Sequence, residues 1–274
     1  MKFGVLGPLS LMDGSDSLLP SAPKTRQLLA LLLLNANSPV ALDTCVQELW
    51  GADAPRSAVQ SVHTRVFQIR QALAGPASGR TAEEVKQILE THHQGYSLRV
   101  EHGALDLHSL EQYLADFRQA QSRKDDLLAS VTLRSALDLW RGHTLLDVQH
   151  GTHIQAIVTG LEYLHMTALE QCIDAELRLG MHHQLLSELS TLVSRHPVHE
   201  NLHAQYMIAL YRSGRTAQSL EAYHRLHEKL TDELGIAPSQ RIRQLHMAVL
   251  TESTELDVTP PERMKLSLDL MASR

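Results

Sequence analysis

Two groups of residues in this 274-residue chain have types and spacings that could do chemistry. The first is His199-Glu200-Asn201-Leu202-His203. On a helix, H-E-x-x-H sets two imidazoles on one face for zinc, with the glutamate as general base. The longer metzincin pattern does not continue, because Tyr206 and Ala209 stand where a glycine and a third histidine belong. A third ligand would have to come from Glu221 or Glu228. A zinc hydrolase is therefore the weakest reading, and no catalytic or metal-binding residue is assigned. Cys45 and Cys172 are too few for a disulfide framework or a cysteine zinc module, and read as small buried apolar groups on helices. No G-x-x-x-x-G-K-[ST] loop occurs, so no nucleotide cofactor is expected.

The second group lies between Lys24 and Tyr96. Residues 54–82 contain no Asp or Glu but carry Arg56, Arg65, Arg70 and Arg80. Val59, Val62, Val66, Ile69 and Leu73 recur at steps of three and four, which predicts a helix from about Ser57 to Leu73 with one apolar face. Gln60, Ser61, His63, Thr64, Arg65, Gln68 and Gln71 fall on its other faces. Such groups suit the edges of bases in a DNA major groove. Arg65 can reach guanine O6 and N7, Gln68 can pair with adenine through two hydrogen bonds, and the Thr64 methyl can meet that of thymine. Ser61 and His63 join that base-facing set. Arg56 and Arg70, near the helix ends, suit phosphates, which position a protein without reading sequence. His93, Gln94 and Tyr96 are placed as backbone contacts from a neighbouring hairpin. Lys24 and Arg26 are further candidates, for phosphate or for polymerase.

These side chains need a scaffold. Phe3, Val5 and Leu6, then Leu9 and Leu11, read as strands before an Asp13-Gly14 turn, with Leu18-Leu19 as one more short strand. A buried helix should run from Pro23 to Asn35, and a second from an Asp43 N-cap to Trp50-Gly51. After the Ser57–Leu73 helix come a short helix at 82–86, a strand at 88–91, a turn at 92–95 and a strand at 96–100. This is a helix-turn-helix followed by a wing. From Leu105 to Leu250 nearly everything reads as helix. Breaks are expected at Arg141-Gly142, Gly151, Gly160, Leu179-Gly180, His196-Pro197, Ser213-Gly214 and Gly235 to Pro238. Gly180 and Gly214 stand at the 34-residue period of tetratricopeptide helix pairs. Trp50 and Trp140 read as core anchors, and His182-His183 as a solvated helix start. Three segments result: a DNA-binding domain over 1–102, an all-helical domain over 103–252 and a tail over 253–274, with a short amphipathic turn near Met264 to Met271.

Composition narrows the class. Apolar residues at 43% support a packed core, and aromatics at 4% argue against an all-β fold. The net charge is −6, and all of it falls in residues 104–274, because the first 103 residues balance nine cationic against nine acidic side chains. The longest apolar run, Leu28 to Leu34, is far short of the roughly 20 residues a membrane span needs. A cytoplasmic protein that does not touch membranes is expected.

The motifs, in order, resemble those of the Streptomyces antibiotic regulatory protein family of transcriptional activators. The first domain carries Leu6-Gly7-Pro8-Leu9, the run Pro23 to Leu33, Glu48-Leu49-Trp50-Gly51 and Gly95-Tyr96-Ser97-Leu98. Its third helix matches at Val62, Thr64, Val66, Gln68, Ile69, Arg70, Ala72 and Leu73. The second carries Leu139-Trp140-Arg141-Gly142, His196-Pro197, Glu200, the run Ala209 to Arg215 and the run Glu233 to Pro238. The resemblance implies an α+β winged helix-turn-helix of the response-regulator type, then an all-α tetratricopeptide-like bacterial transcriptional activation domain. It implies binding to direct repeats of double-stranded DNA in promoters of antibiotic gene clusters, as a homodimer on DNA, with recruitment of RNA polymerase holoenzyme. It implies the short form, without an ATPase module, and no enzymatic activity. His63, Arg65 and Phe67 replace residues common in relatives, and His92-His93-Gln94 replaces a frequent Arg-Pro-Pro, so base preference should differ. The remaining alternative is a tetratricopeptide-like interaction scaffold that does not bind DNA.

Overall fold

The structure, a computed structural model, describes residues 1–75, 79–253 and 256. The expected tail turn near Met264 to Met271 lies outside them. The chain divides into two compact units: residues 1–123 with 131–169, and residues 124–130 with 170–274.

The first unit opens with strands β1 (Lys2–Gly4), β2 (Ser10–Asp13) and β3 (Asp16–Ser17), antiparallel in that order. Gly14 and Ser15 make the turn, so pairing closes at Asp13 and Asp16. The last strand therefore precedes the expected Leu18-Leu19, although Leu18 still donates its amide to Leu11. Helix α1 (Pro23–Leu34) follows, with Leu28 to Leu33 wholly buried. Strand β4 (Val40–Ala41) leads directly into α2 (Leu42–Trp50). Asp43 was expected as the N-cap, but Ala41 holds that position. The pairing of Ala41 with Gly95, and the Leu42 amide bound to the Gln94 carbonyl, fix the N-cap two residues earlier. Asp43 instead sits in the first turn, where its charge still suits the helix dipole.

A 3-10 turn at Gly51–Asp53 leads to α3 (Ala58–Leu73), then α4 (Ala82–Ile88), β5 (Leu89–His92) and β6 (Gly95–Leu98). Thr81 and Glu84 close a reciprocal capping box on α4. The second sheet runs β4, β6, β5, all antiparallel. Val62, Val66, Ile69 and Leu73 are buried as the periodicity requires, but Val59 is 43% exposed and Ala58 takes the core position. Cys45 lies wholly buried in the same core.

Helices α5 (Asp106–Ser122), α6 (Asp126–Leu137) and α7 (Thr152–Arg178) follow. Between α6 and α7, residues 138–151 are irregular rather than helical. Three carboxylates tie this later stretch to the first hundred residues. Asp106 accepts the amides of Val5 and Leu6, each at 2.9 Å. Asp147 accepts the Leu9 amide at 2.7 Å and pairs with Arg26. Buried Glu48 accepts the amides of Gly151, His153 and Ile154 at 2.6, 2.9 and 3.2 Å. These last are orphan donors at the start of α7, so Glu48 caps that helix from a distance of about a hundred residues in sequence. No break occurs at Gly160. It lies inside α7 on an exposed face, with open space where a Cβ would be.

The second unit holds α8 (His182–Arg195), α9 (Glu200–Arg212), α10 (Thr216–Leu234) and α11 (Gln240–Leu250). Gly180 and Gly214 have φ of 80° and 72°, a left-handed conformation that turns the chain between helices. Met207, Leu210, Leu226, Leu230 and Ile242 form its core. Cys172 is buried beside Ser130 and Glu176.

Candidate nucleic-acid interface

Helix α3 presents two faces. The buried one is built from Val62, Val66, Ile69 and Leu73, which pack with α1 and the second sheet in one core. Steps of three and four along the other side set Gln60, His63, Thr64, Phe67 and Gln71 in an exposed stripe. Phe67 is 59% exposed, unusual for an aromatic ring with a core available. Arg56 precedes the stripe and is also exposed. Acidic residues are absent from 54–82, so nothing on this helix repels a phosphate backbone.

The predicted residues divide by what their side chains do. Arg56, His63 and Thr64 stand exposed on or before α3, and the Thr64 hydroxyl rests on the Gln60 carbonyl at 3.0 Å. His93 and Gln94 are exposed at the tip of the β5–β6 hairpin. Ser61 is half-buried.

Others are held by the fold. The Gln68 carbonyl oxygen accepts from the buried Thr25 hydroxyl at 2.6 Å and from Arg65 at 3.2 Å. Gln68 thereby spends its acceptor inside the domain. Arg70 donates to the Leu89 carbonyl at 2.6 Å and the Thr91 hydroxyl at 2.8 Å, fastening α3 to the hairpin. Lys24 donates to the Leu49 carbonyl and lies over the Trp50 ring, 5.0 Å from its centroid. Arg26 pairs with Asp147. Tyr96 is 7% exposed in β6, and its ring meets His63 edge-on at 6.3 Å. Burial pushes the Tyr96 phenol above its ordinary pKa.

Of the stripe residues, Gln60 and Gln71 are not among the contacts expected from sequence, whereas Phe67 is noted there only as a departure that bears on base preference. Gln60 and Gln71 were legible as off-core positions. Phe67 lies off the Val59–Leu73 apolar series, and its exposure places it on the same stripe.

The H-E-x-x-H residues fall at the start of α9 in the second unit. His199 is the residue before α9, and its Nε2 pairs with Glu170 at 2.9 Å. Glu200 accepts the Ser239 amide at 2.7 Å. His203 is buried. Among the described residues no three His, Cys, Asp or Glu side chains converge on a common point. No helix among them is long and apolar enough to cross a membrane.

Comparison with known proteins decides the family. Residues 105–250 match the bacterial transcriptional activator domain. The chain is 40% identical over 262 residues to the regulatory protein DnrI of Streptomyces peucetius, covering 96% of both. The chain belongs to the Streptomyces antibiotic regulatory protein family. It is also 34% identical over 251 residues to the regulatory protein AfsR of Streptomyces coelicolor, of which it spans 24%. Among solved structures it is similar to Mycobacterium tuberculosis EmbR in complex with a low-affinity phosphopeptide. The TM-score is 0.83 at 30% identity, over 92% of this chain and 65% of that one. Members of this family are transcriptional regulators.

Proposed function

We propose that this chain activates transcription by binding promoter DNA through α3. Residues 1–102 act as a winged helix-turn-helix: α2 and α3 are the paired helices and β5–β6 the wing. Residues 103–252, tetratricopeptide-like, serve as the activation domain. The observation that carries the reading is the exposed stripe on α3, uninterrupted by acidic residues and flanked by Arg56. A single helix fits the B-DNA major groove, and the stripe offers amide, imidazole, hydroxyl and aromatic groups to base edges.

The held residues refine that reading. Thr64 and His63 face bases, with Gln60, Phe67 and Gln71 beside them. Phe67 supplies apolar contact to thymine methyl groups. Gln68 keeps its amide NH2 for a base while Thr25 fixes its rotamer. Arg56, His93 and Gln94 contact the backbone. Arg70 orients the helix against the wing rather than reaching a phosphate.

The DNA is a direct repeat upstream of a secondary-metabolite gene cluster. Two protomers lie in tandem on one face of the duplex and recruit RNA polymerase holoenzyme. The protein works in the cytoplasm by binding alone, without catalysis, cofactor or metal. Few free cations are available, so affinity falls only moderately with salt.

A nuclease footprint across promoters beside its own gene tests this. Protected repeats at low salt that disappear in a Thr64→Ala/Phe67→Ala variant support it. No protection at low salt, where electrostatic attraction is strongest, overturns it.

A further inference from the structure

The second half of the H-E-x-x-H motif has a setting that DNA binding leaves unused. His203 is 5% exposed, yet neither ring nitrogen has a hydrogen-bond partner among the described residues. The backbone at Ala222 and Pro197 favours a charged ring. Burial outweighs them and holds His203 below the ordinary histidine pKa, so at neutral pH the ring offers one donor and one acceptor. Buried polar groups are nearly always paired, and an unpaired one calls for a partner.

That ring lines a cavity of about 400 Å³ within the second unit. Small-molecule sites commonly hold roughly 300 to 1,000 Å³. Ser190 and Ser194, one turn apart on α8, bring hydroxyls to it, and Arg225 and Lys229, one turn apart on α10, bring cations. Val193, Pro197 and the Tyr206 ring supply apolar wall. Among the described residues no carboxylate lines the cavity. The ion pairs described in this unit join Arg178 to Asp126, His199 to Glu170 and Lys229 to Glu233. Arg225 is left without a carboxylate among the described residues.

We propose that this cavity binds a small organic anion, with a carboxylate or phosphate head on an apolar body. His203 donates its ring N–H to the head, and Arg225 supplies the counter-charge in the manner of charge-assisted pairing. The serine hydroxyls complete the polar rim, and the apolar body lies along Val193, Pro197 and Tyr206.

The test uses the full chain and ¹³C–¹H spectra of its histidine rings. Benzoate, phenyl phosphate and uncharged benzamide are titrated in turn, and the His203 signal is assigned by its loss in His203→Gln. The expected result is a saturable shift of that signal with benzoate or phenyl phosphate, the stronger binder naming the head group. Benzamide and the Arg225→Gln variant should each bind about tenfold more weakly. Should His203→Gln fail to fold, Ser194→Phe at the exposed mouth must abolish the shift. Thr64→Ala, on the DNA-facing stripe, must leave it unchanged, so failure here is separate from failure of DNA binding. The proposal is overturned if neither anion saturates, if benzamide shifts the signal equally, if sodium chloride alone reproduces the shift, or if Arg225→Gln binds as the unaltered chain does.

Discussion

The Glu48 carboxylate accepts the Gly151 amide at 2.6 Å, and the Gly151 Cα lies against the Glu48 carbonyl and carboxyl. A Cβ on Gly151 would meet the Glu48 carbonyl oxygen at 2.2 Å. The two residues therefore specify each other, one by its charge and one by the absence of a side chain. Glu48 also receives the Gln27 amide through its carbonyl at 2.9 Å, so α1, α2 and the start of α7 meet at one buried group.

Loss of this junction should be costly. Glu48→Ala leaves three backbone donors and a cavity, and should lower unfolding free energy by about 3 kcal/mol. Glu48→Gln keeps one acceptor oxygen and should cost roughly half that. Gly151→Ala should destabilise through the steric clash. Urea unfolding followed by far-UV circular dichroism checks all three.

Gly160 gives the opposite sign. It stands exposed in the interior of α7 with no atom of the described residues near its missing Cβ. Gly160→Ala should raise stability by about 0.5–1 kcal/mol, chiefly by restricting the unfolded chain. A higher midpoint in the same urea experiment is the expected outcome.

Gln68 and Phe67 are neighbours in sequence with different duties. Gln68→Ala leaves the buried Thr25 hydroxyl without its acceptor and should cost about 1–2 kcal/mol of stability. Phe67→Ala should leave stability within roughly 0.5 kcal/mol, because the ring is mostly exposed. Its effect should appear in DNA affinity instead. Thermal unfolding beside a binding titration separates the two.

Acid should weaken the fold before any carboxylate titrates. Burial lowers the pKa of His165, His182, His196, His203 and His246 below the ordinary histidine range. The unfolded chain then binds protons that the folded chain refuses, so stability is full above the unfolded histidine pKa, about 6.5, and falls as pH drops from there toward the folded values. Urea midpoints should be equal at pH 8.0 and 7.5 and lower at pH 5.5. Cys45, pushed up to about 12 by burial, should stay protonated and unreactive toward thiol reagents across that range until the chain unfolds.

Much of this architecture was legible in the sequence because local signals were strong. The steps from Val62 to Leu73 defined α3 and its buried face, and Gly180 and Gly214 marked the turns of the helical unit. What failed were positions where a long-range partner overrides the local rule. Asp43 was a good N-cap in isolation, but the pairing of Ala41 with Gly95 starts the helix earlier. Gly160 looked like a break, but α7 carries it inside a long helix. The candidate site was legible in part. Residue type suggested Arg70, Lys24, Arg26 and Gln68 as contacts, and only the fold shows their charges and acceptors engaged by Leu89, Leu49, Asp147 and Thr25.

The central claim is that the exposed stripe of α3 reads DNA. Its most direct test is selection of duplexes from a random pool, followed by fluorescence anisotropy on the winning site at two salt concentrations. The account predicts a direct repeat, affinity that falls with salt, and a Thr64→Ala/Phe67→Ala variant that loses discrimination by about tenfold or more while unfolding at the same urea midpoint. An unaltered preference in that variant would contradict it.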